Sequence, residues 1–261
     1  MRWPILAAGL ADYHVHLLGH GEGRLTAEYL AEFVQRARSQ GLEEIGLADH
    51  DDFLEVLRPL FASRDGGWPS DYPVRLGLEV SYRAGREEEI RRLAREFRFD
   101  YLIGSVHDLD GWPFDHPDYV EGYAGRDADE LYRRYFSAVV RVAESGLFDV
   151  IGHLDLIKVF GCRSRRPASE LAEAALEAVR TQGLAVEVNT AGLFKPAGEI
   201  YPGPELLRAC FDRGIPITFG SDAHRPEEVG RSFAQAAELA RRAGYRRYVR
   251  FRARRRVPVP L

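Results

Sequence analysis

Seven of the eight histidines in this 261-residue chain stand in short motifs with acidic or glycine neighbours. In His14-Val15-His16 the i, i+2 spacing on a strand would turn both imidazoles to one face. His20 follows in Gly19-His20-Gly21, where the chain can bend back over the same opening. Asp49-His50, Glu79, His107, His153 and Ser221-Asp222-Ala223-His224 complete the set. Imidazole nitrogen with added carboxylate suits Zn, Fe or Mn rather than Mg or Ca alone. Seven histidines and two acids (His14, His16, His20, His50, Glu79, His107, His153, Asp222, His224) exceed the needs of one tetrahedral ion. Two or three divalent transition metals are therefore expected, with Glu79 as the natural bridge. Clustered cations suit phosphate-ester cleavage, because they neutralise phosphoryl oxygens and bring the pKa of a bound water towards ~7. A lone histidine is more often a satisfied core or loop residue. That account would have to be invoked separately for each of the seven.

These residues need elements that bring them to one place. Short runs rich in Val, Ile, Leu and aromatics, bounded by Gly, Pro or Asp, predict strands over 12–17, 44–48, 74–80, 101–106, 149–154, 184–189 and 215–220. Helical patterns lie between them. Thr26 is set to N-cap one that Gly41 closes. Others run over 127–145, 169–182, 204–213 and 226–242, ending at Gly146, Gly183, Gly214 and Gly244. The β-α order, repeated about seven times, implies an α/β protein with parallel strands in a closed or nearly closed barrel. No linker or internal repeat interrupts it, so one domain over 1–261 is expected. Active sites of such barrels lie at the C-terminal ends of the strands. The polar residues fall there: His14 and His16 late in the first strand, Asp49-His50 after the second, Glu79 ending the third. His107 lies just past the fourth, His153 closes the fifth, Asn189 the sixth, and Asp222 and His224 follow the seventh.

Composition narrows the alternatives. No apolar run approaches the ~18 residues needed to span a bilayer. The stretch from Trp3 to Ala11 runs straight into Asp12-Tyr13-His14 and reads as a short extension before the first strand, not a signal peptide. Cys162 and Cys210 are the only cysteines, which implies no disulfide framework and fits a cytoplasmic setting. A net charge of -4 argues against a bulk grip on nucleic acid. The basic tail around Arg246–Arg256 alternates polar and apolar over 248–253, which reads as an edge strand with a solvated basic face. The expected partner is a small-molecule phosphate ester, with no nucleic acid or membrane; a homo-oligomer stays open.

The His-x-His motif, Asp49-His50-Asp51, Gly77-Leu78-Glu79, Gly104-Ser105-Val106-His107, Gly152-His153 and Ser221-Asp222-Ala223-His224 together resemble the PHP (polymerase and histidinol phosphatase) family over nearly the whole chain. The runs from Tyr101 to His107, Ile151 to Lys158 and Val188 to Leu193 look like its histidinol-phosphate phosphatase branch. The resemblance implies a distorted (β/α)7 barrel. It also implies hydrolysis of L-histidinol phosphate in histidine biosynthesis, by in-line attack of a metal-activated hydroxide without a phosphoenzyme. It divides the ligands into His14, His16, Glu79 and Asp222; Glu79, His107 and His153; and His20, His50 and His224. A PHP-type nuclease or phosphoesterase acting on another ester is the alternative, and a metal-binding scaffold without turnover the non-catalytic one.

Around the metals the expectations are looser. Asp222 or Asp49 is the candidate proton acceptor. Asp49 and Asp155 have two readings, orienting an imidazole or capping a loop. Lys158 and Lys195, the only lysines, stand beside the fifth and sixth strand ends and have two readings, phosphate contact or a nearby structural role; Asn189 is a further candidate for substrate contact. Where the resemblance implies two basic residues after Asn-Thr-Ala-Gly-Leu, this chain has Phe194 and then Lys195. Arg163, Arg165 or Arg225 is expected to compensate, Arg225 being preferred because it follows His224 and its planar fork can hold two phosphate oxygens. His116, in a Pro- and aromatic-rich loop, reads as surface or as a substrate contact.

Overall fold

The computed structural model describes residues 9–62 and 71–261. Most of the Trp3–Ala11 stretch lies outside the described residues. Three parallel strands, β1 (Ala11–Val15), β2 (Glu44–Leu47) and β3 (Val74–Leu76), form one sheet in that order. Five more, β4 (Glu79–Ser81), β5 (Ile103–Ser105), β6 (Val150–Ile151), β7 (Ala185–Asn189) and β8 (Ile217–Gly220), form a second, also parallel. Helices intervene: α1 (Ala27–Ser39), α2 (Leu54–Ala62), α3 (Glu87–Glu96), α4 (Ala128–Glu144), α5 (Ala168–Leu171), α6 (Glu173–Gln182), α7 (Pro204–Asp212) and α8 (Phe233–Ala243). The chain is thus an α/β protein built on parallel sheets. β1, β2, β7 and β8 are buried at every residue, as parallel strands covered on both faces must be.

Local signals set the helix ends. Thr26 accepts the Tyr29 amide at 3.2 Å, and Asp127 caps α4 through the Glu130 amide at 3.0 Å. Gly183 ends α6 in the left-handed region. The expected 169–182 helix is broken at Ala172, and that over 226–242 begins as a single 3-10 turn before α8. α3, with five charged residues before its second apolar one, escaped the hydrophobic pattern.

The expected strand over 74–80 is two strands. Tyr101 fills the space beneath Gly77, where a Cβ would lie 2.4 Å from its Cζ, and its hydroxyl donates to the Tyr13 carbonyl at 2.7 Å. The backbone passes around that ring: Gly77 donates to Leu47 at 2.7 Å and Glu79 to Asp49 at 3.1 Å, while Ile103 donates to Leu78 at 3.0 Å. β3 therefore pairs with β2 and β4 with β5. At the far side His16 donates to the Ala223 carbonyl at 2.8 Å and Ala223 to that of His14 at 3.1 Å.

The basic tail is β9 (Arg247–Arg252), paired antiparallel with β10 (Arg255–Pro260). Tyr248, Val249 and Phe251 are buried while Arg247 and Arg252 face solvent. Arg250 pairs with Glu43 at 2.7 Å, and Arg254 with Asp149. β10 went unread because Pro258 and Pro260 suppress the strand signal, yet an edge strand tolerates proline.

Candidate metal centre

Glu79 stands at the middle of the strand ends with its two oxygens facing different histidines. Oε1 is 3.0 Å from His153 Nε2 and 3.4 Å from His107 Nε2, and accepts from the Ser105 hydroxyl at 2.7 Å. Oε2 is 2.8 Å from His50 Nδ1, 3.4 Å from His14 Nε2 and 3.8 Å from His16 Nε2. Asp222 Oδ1 completes that side, 3.2 Å from His16 Nε2, 3.8 Å from His14 Nε2 and 3.7 Å from His224 Nδ1. His20 leans over the rim, its ring 4.3 Å from that of His224 and 5.6 Å from that of His50.

Among the described residues, three sets bring their ligand atoms within 4.8 Å of one another: His14, His16 and Glu79; Glu79, His107 and His153; and His16, His50 and His224. The second has the members of an expected grouping, and the first is the expected grouping without Asp222. In the third, His16 stands where His20 was expected. Two of the residues involved sit in backbone conformations that L side chains seldom adopt, His153 at φ 23° and Asp222 at φ 54°. β6 pairs over two residues, Val150–Ile151, where six were expected, and His153 lies past its end.

Whether cations fit can be judged from the hydrogen bonds the cluster lacks. His14 Nε2, both ring nitrogens of His16, His50 Nε2, Glu79 Oε2, His153 Nδ1 and His224 Nε2 are buried without a hydrogen-bond partner among the described residues. The 2.8 Å approach of His50 to Glu79 Oε2 is close but not aligned for a bond. Each orphaned polar atom costs about 1–3 kcal/mol, so several gathered on neighbouring rings around Glu79 and Asp222 are consistent with places for cations. The donor chemistry, imidazole with carboxylate, fits transition-metal cations.

The protonation pattern agrees. Burial would raise Asp222 and Glu79, but the surrounding imidazoles hold both carboxyls well below the usual range. Burial works against a proton on His107 too, but Glu79 and Asp115 prevail and lift it to about 9. His16, with only imidazoles close on most sides, is pushed down by burial and by His50 and His224.

Other buried groups hold the ligands. Glu187 on β7 lies 2.6 Å from His14 Nδ1 through Oε1, while Oε2 accepts the His153 amide at 2.9 Å and the Asn189 side-chain amide at 3.0 Å. Ser81 Oγ is 2.7 Å from His107 Nδ1. Asp12 accepts the Ser221 and Gly230 amides, both at 2.9 Å, tying the Asp222 loop to the start of α8; burial outweighs these bonds and lifts its carboxyl to about 6. Glu187 had a sequence signal that went unused: an acid inside the apolar run Ala185-Val186-Glu187-Val188, two residues from Asn189 and hence on the same strand face. Asp49 and Asp155 take the loop-capping role. Asp49 accepts the Leu18 amide at 2.7 Å, and Asp155 accepts the Gly203 amide at 3.0 Å and pairs with Lys158 at 2.7 Å. Burial lifts the Asp49 carboxyl to about 6.

A cavity of about 720 Å³ opens over the cluster, lined among others by His20, Asp222, His224, Lys195, Arg225 and Arg231. Of the expected substrate contacts, Lys195 and Arg225 line it; five do not. Asn189 is fully buried, donating to Glu187 and accepting the Ala191 amide at 2.8 Å. Lys158 is buried between Asp155 and Glu199, at 2.7 and 2.6 Å. Arg163 pairs with Glu199 at 3.0 Å in a second cavity, shared with Lys158 and Arg165. Arg165 there pairs with Asp127. His116 is exposed and accepts the Asp118 amide at 3.2 Å as a helix cap.

Fold and site together define a protein of the PHP class. The PHP domain model matches residues 12–191 and the PHP-associated model residues 207–245, so the chain belongs to the PHP family. A probable histidinol-phosphatase of Deinococcus radiodurans is 42% identical, covering 96% of this chain and 99% of the relative. The histidinol-phosphatase of Bacillus subtilis is 26% identical over 85% of this chain and 96% of its own. Among solved structures, the histidinol phosphate phosphatase of Lactococcus lactis, complexed with Zn, L-histidinol and phosphate, superposes with a TM-score of 0.75. It covers 96% of this chain and 99% of its own at 23% identity, a likeness of fold. No described helix is long and apolar enough to cross a membrane.

Proposed function

We propose that the chain is a metal-dependent phosphomonoesterase that hydrolyses L-histidinol phosphate to L-histidinol and phosphate. His14, His16, His20, His50, Glu79, His107, His153, Asp222 and His224 hold two or three divalent cations, of the Zn, Fe or Mn type. The observation that carries this reading is Glu79, whose two oxygens face separate sets of histidine nitrogens, His107 and His153 at Oε1 and His14, His16 and His50 at Oε2. End-to-end similarity to the D. radiodurans relative supports the substrate.

Cations in the cluster supply positive charge for the phosphoryl oxygens and acidify water. The chain's own residues do the rest. Asp222, 19% exposed and held ionised by its imidazole neighbours, is the carboxylate of the cluster that lines the cavity and can accept the proton of the attacking water. Asp49, buried behind the Leu18 amide, steadies the loop that carries His20. Lys195 and Arg225 stand on the cavity wall, where an ester's phosphoryl group would enter. Glu187 fixes His14 from behind.

We read the two parallel sheets as a single distorted (β/α)7 barrel in one domain, because single bridges at His50–Glu79 and Val15–Ala223 link strands the ladders leave apart. A cytoplasmic setting fits two free cysteines.

Phosphate release from L-histidinol phosphate, measured after loading the chain with Zn, Mn or Fe, tests the assignment. Turnover with at least one metal is expected. Silence with all three, beside clear hydrolysis of another ester or an oligonucleotide, would sink the substrate.

A further inference from the structure

The cavity over the cluster holds one arginine that the sequence reading passed over. Arg231 lies in the turn before α8, and its guanidinium carbon sits 4.3 Å from the centroid of the Phe194 ring. Its Nη1 pairs with Glu228 at 3.1 Å, and the side chain is 17% exposed. Its Nε is buried and has no hydrogen-bond partner among the described residues. The turn is anchored, because the Gly230 amide donates to Asp12, the same carboxylate that holds Ser221 ahead of Asp222. One buried acid therefore fixes both the cluster's Asp222 and the arginine that shares its cavity.

The neighbouring cations are held differently. Arg225 is 67% exposed and reaches Glu227 and Glu228 only at 3.6 and 3.5 Å, so solvent screens it and its position is loosely set. A guanidinium lying on an aromatic face is fixed in plane without using its N–H groups. It then keeps donors for a planar, two-point grip on an anion's oxygens.

We propose that Arg231, stacked on Phe194, is the residue that grips the phosphoryl group of the substrate, with Phe194 as its platform. The N–H groups that Glu228 does not engage are the donors left for the anion. Glu228 restrains the outer edge of the fork and is shared with Arg225, so the two arginines are set by one acid. The proposal rests on the reading of the site as a phosphomonoesterase.

The test uses the full metal-loaded chain, with L-histidinol phosphate as substrate and inorganic phosphate as competitive inhibitor. Arg231→Met is expected to raise KM roughly 10- to 100-fold and to weaken phosphate inhibition by the same factor, the loss of a charged hydrogen bond. Its kcat should change less than about threefold, since the grip persists from ground state to transition state. Adding Phe194→Arg to that variant puts a guanidinium back in the same space and should recover most of the affinity. Phe194 is exposed, so Phe194→Leu leaves the fold intact and should raise both constants several-fold even if Arg231→Met fails to fold. Unchanged KM and phosphate inhibition in Arg231→Met or Phe194→Leu would overturn the proposal. So would a fall in kcat and Tm with both constants unmoved, the mark of a packing role. If the wild-type chain leaves histidinol phosphate intact, calorimetric binding of inorganic phosphate to the same variants still reads Arg231, which separates this failure from that of the substrate assignment.

Discussion

Glu187 Oε1 lies 2.6 Å from His14 Nδ1, with both side chains shut off from solvent. The carboxylate accepts from Nδ1–H and so turns the Nε2 lone pair of His14 towards Glu79 and Asp222. Its other oxygen fixes the backbone of His153, so one acid on β7 orients ligand candidates on two other strands.

Replacing Glu187 with Gln should therefore weaken cation binding about 10- to 100-fold, the usual scale for the partner of a metal-bound imidazole. Titration of the metal-free chain, followed by metal content after dialysis, reads this directly. Wild-type affinity in the Gln and Ala variants alike would show that the contact does not orient the ring.

Gly220 exists in its present form because of that contact. A Cβ there would lie 1.8 Å from Glu187 Oε1 and 2.7 Å from the His14 Cβ. Gly220→Ala is expected to cost about 1–3 kcal/mol by overpacking and to reproduce the metal-binding loss of the Glu187 variants. Thermal melts with metal titration check both; an alanine variant with wild-type affinity would contradict the geometry.

Chelation should abolish turnover and lower Tm, because a cation at 1,000 times its Kd contributes about 4 kcal/mol to the folded state. Re-adding a divalent transition metal should restore both. A chelated chain with full activity would argue against cations at the site.

Protonation adds a pH signature. His107 rises from 6.5 to about 9 in the metal-free chain, burial opposing the shift and Glu79 and Asp115 driving it. At pH 7.5 the ring therefore carries a proton that a cation must displace. Calorimetry in buffers of different ionisation enthalpy should detect proton release on metal binding. For the metal-free chain, the stability His107 lends is complete below about pH 6.5 and lost as pH climbs through about 9. His107→Gln should flatten that part of the Tm profile; an unchanged slope would contradict the assignment.

Cys210 is buried, and burial pushes its thiol up; Cys162 is half-buried and raised in the same direction. A chromogenic disulfide reagent at pH 8 should modify one thiol slowly in the native chain and two after denaturation. Rapid modification of both without denaturant would contradict the burial of Cys210.

That the candidate ligands would gather at one place was legible in the sequence, because it needs little geometry. Strand period puts His14 and His16 on one face, and the rule that barrel sites sit at C-terminal strand ends gathers His50, Glu79, His107, His153 and Asp222 from separate runs. Residue type and position along the chain were enough. Thr26 and Gly183 likewise act through neighbours a few residues away, so their roles as caps could be read locally.

What only the tertiary structure decided depends on contacts between distant positions. Glu187 meets His14 across 173 residues, Asp12 meets Ser221 across 209, and Arg231 meets the Phe194 ring from a different loop. A lysine or arginine in a motif has no assigned partner until the chain closes. Lys158 then proved to be buried between two acids, while Arg231 kept a donor free beside the cluster. The split of the third strand belongs here as well, because it follows from Tyr101 occupying the space beneath Gly77. Periodicity and residue chemistry are properties of one segment, whereas charge pairing, burial and packing volume arise only between segments.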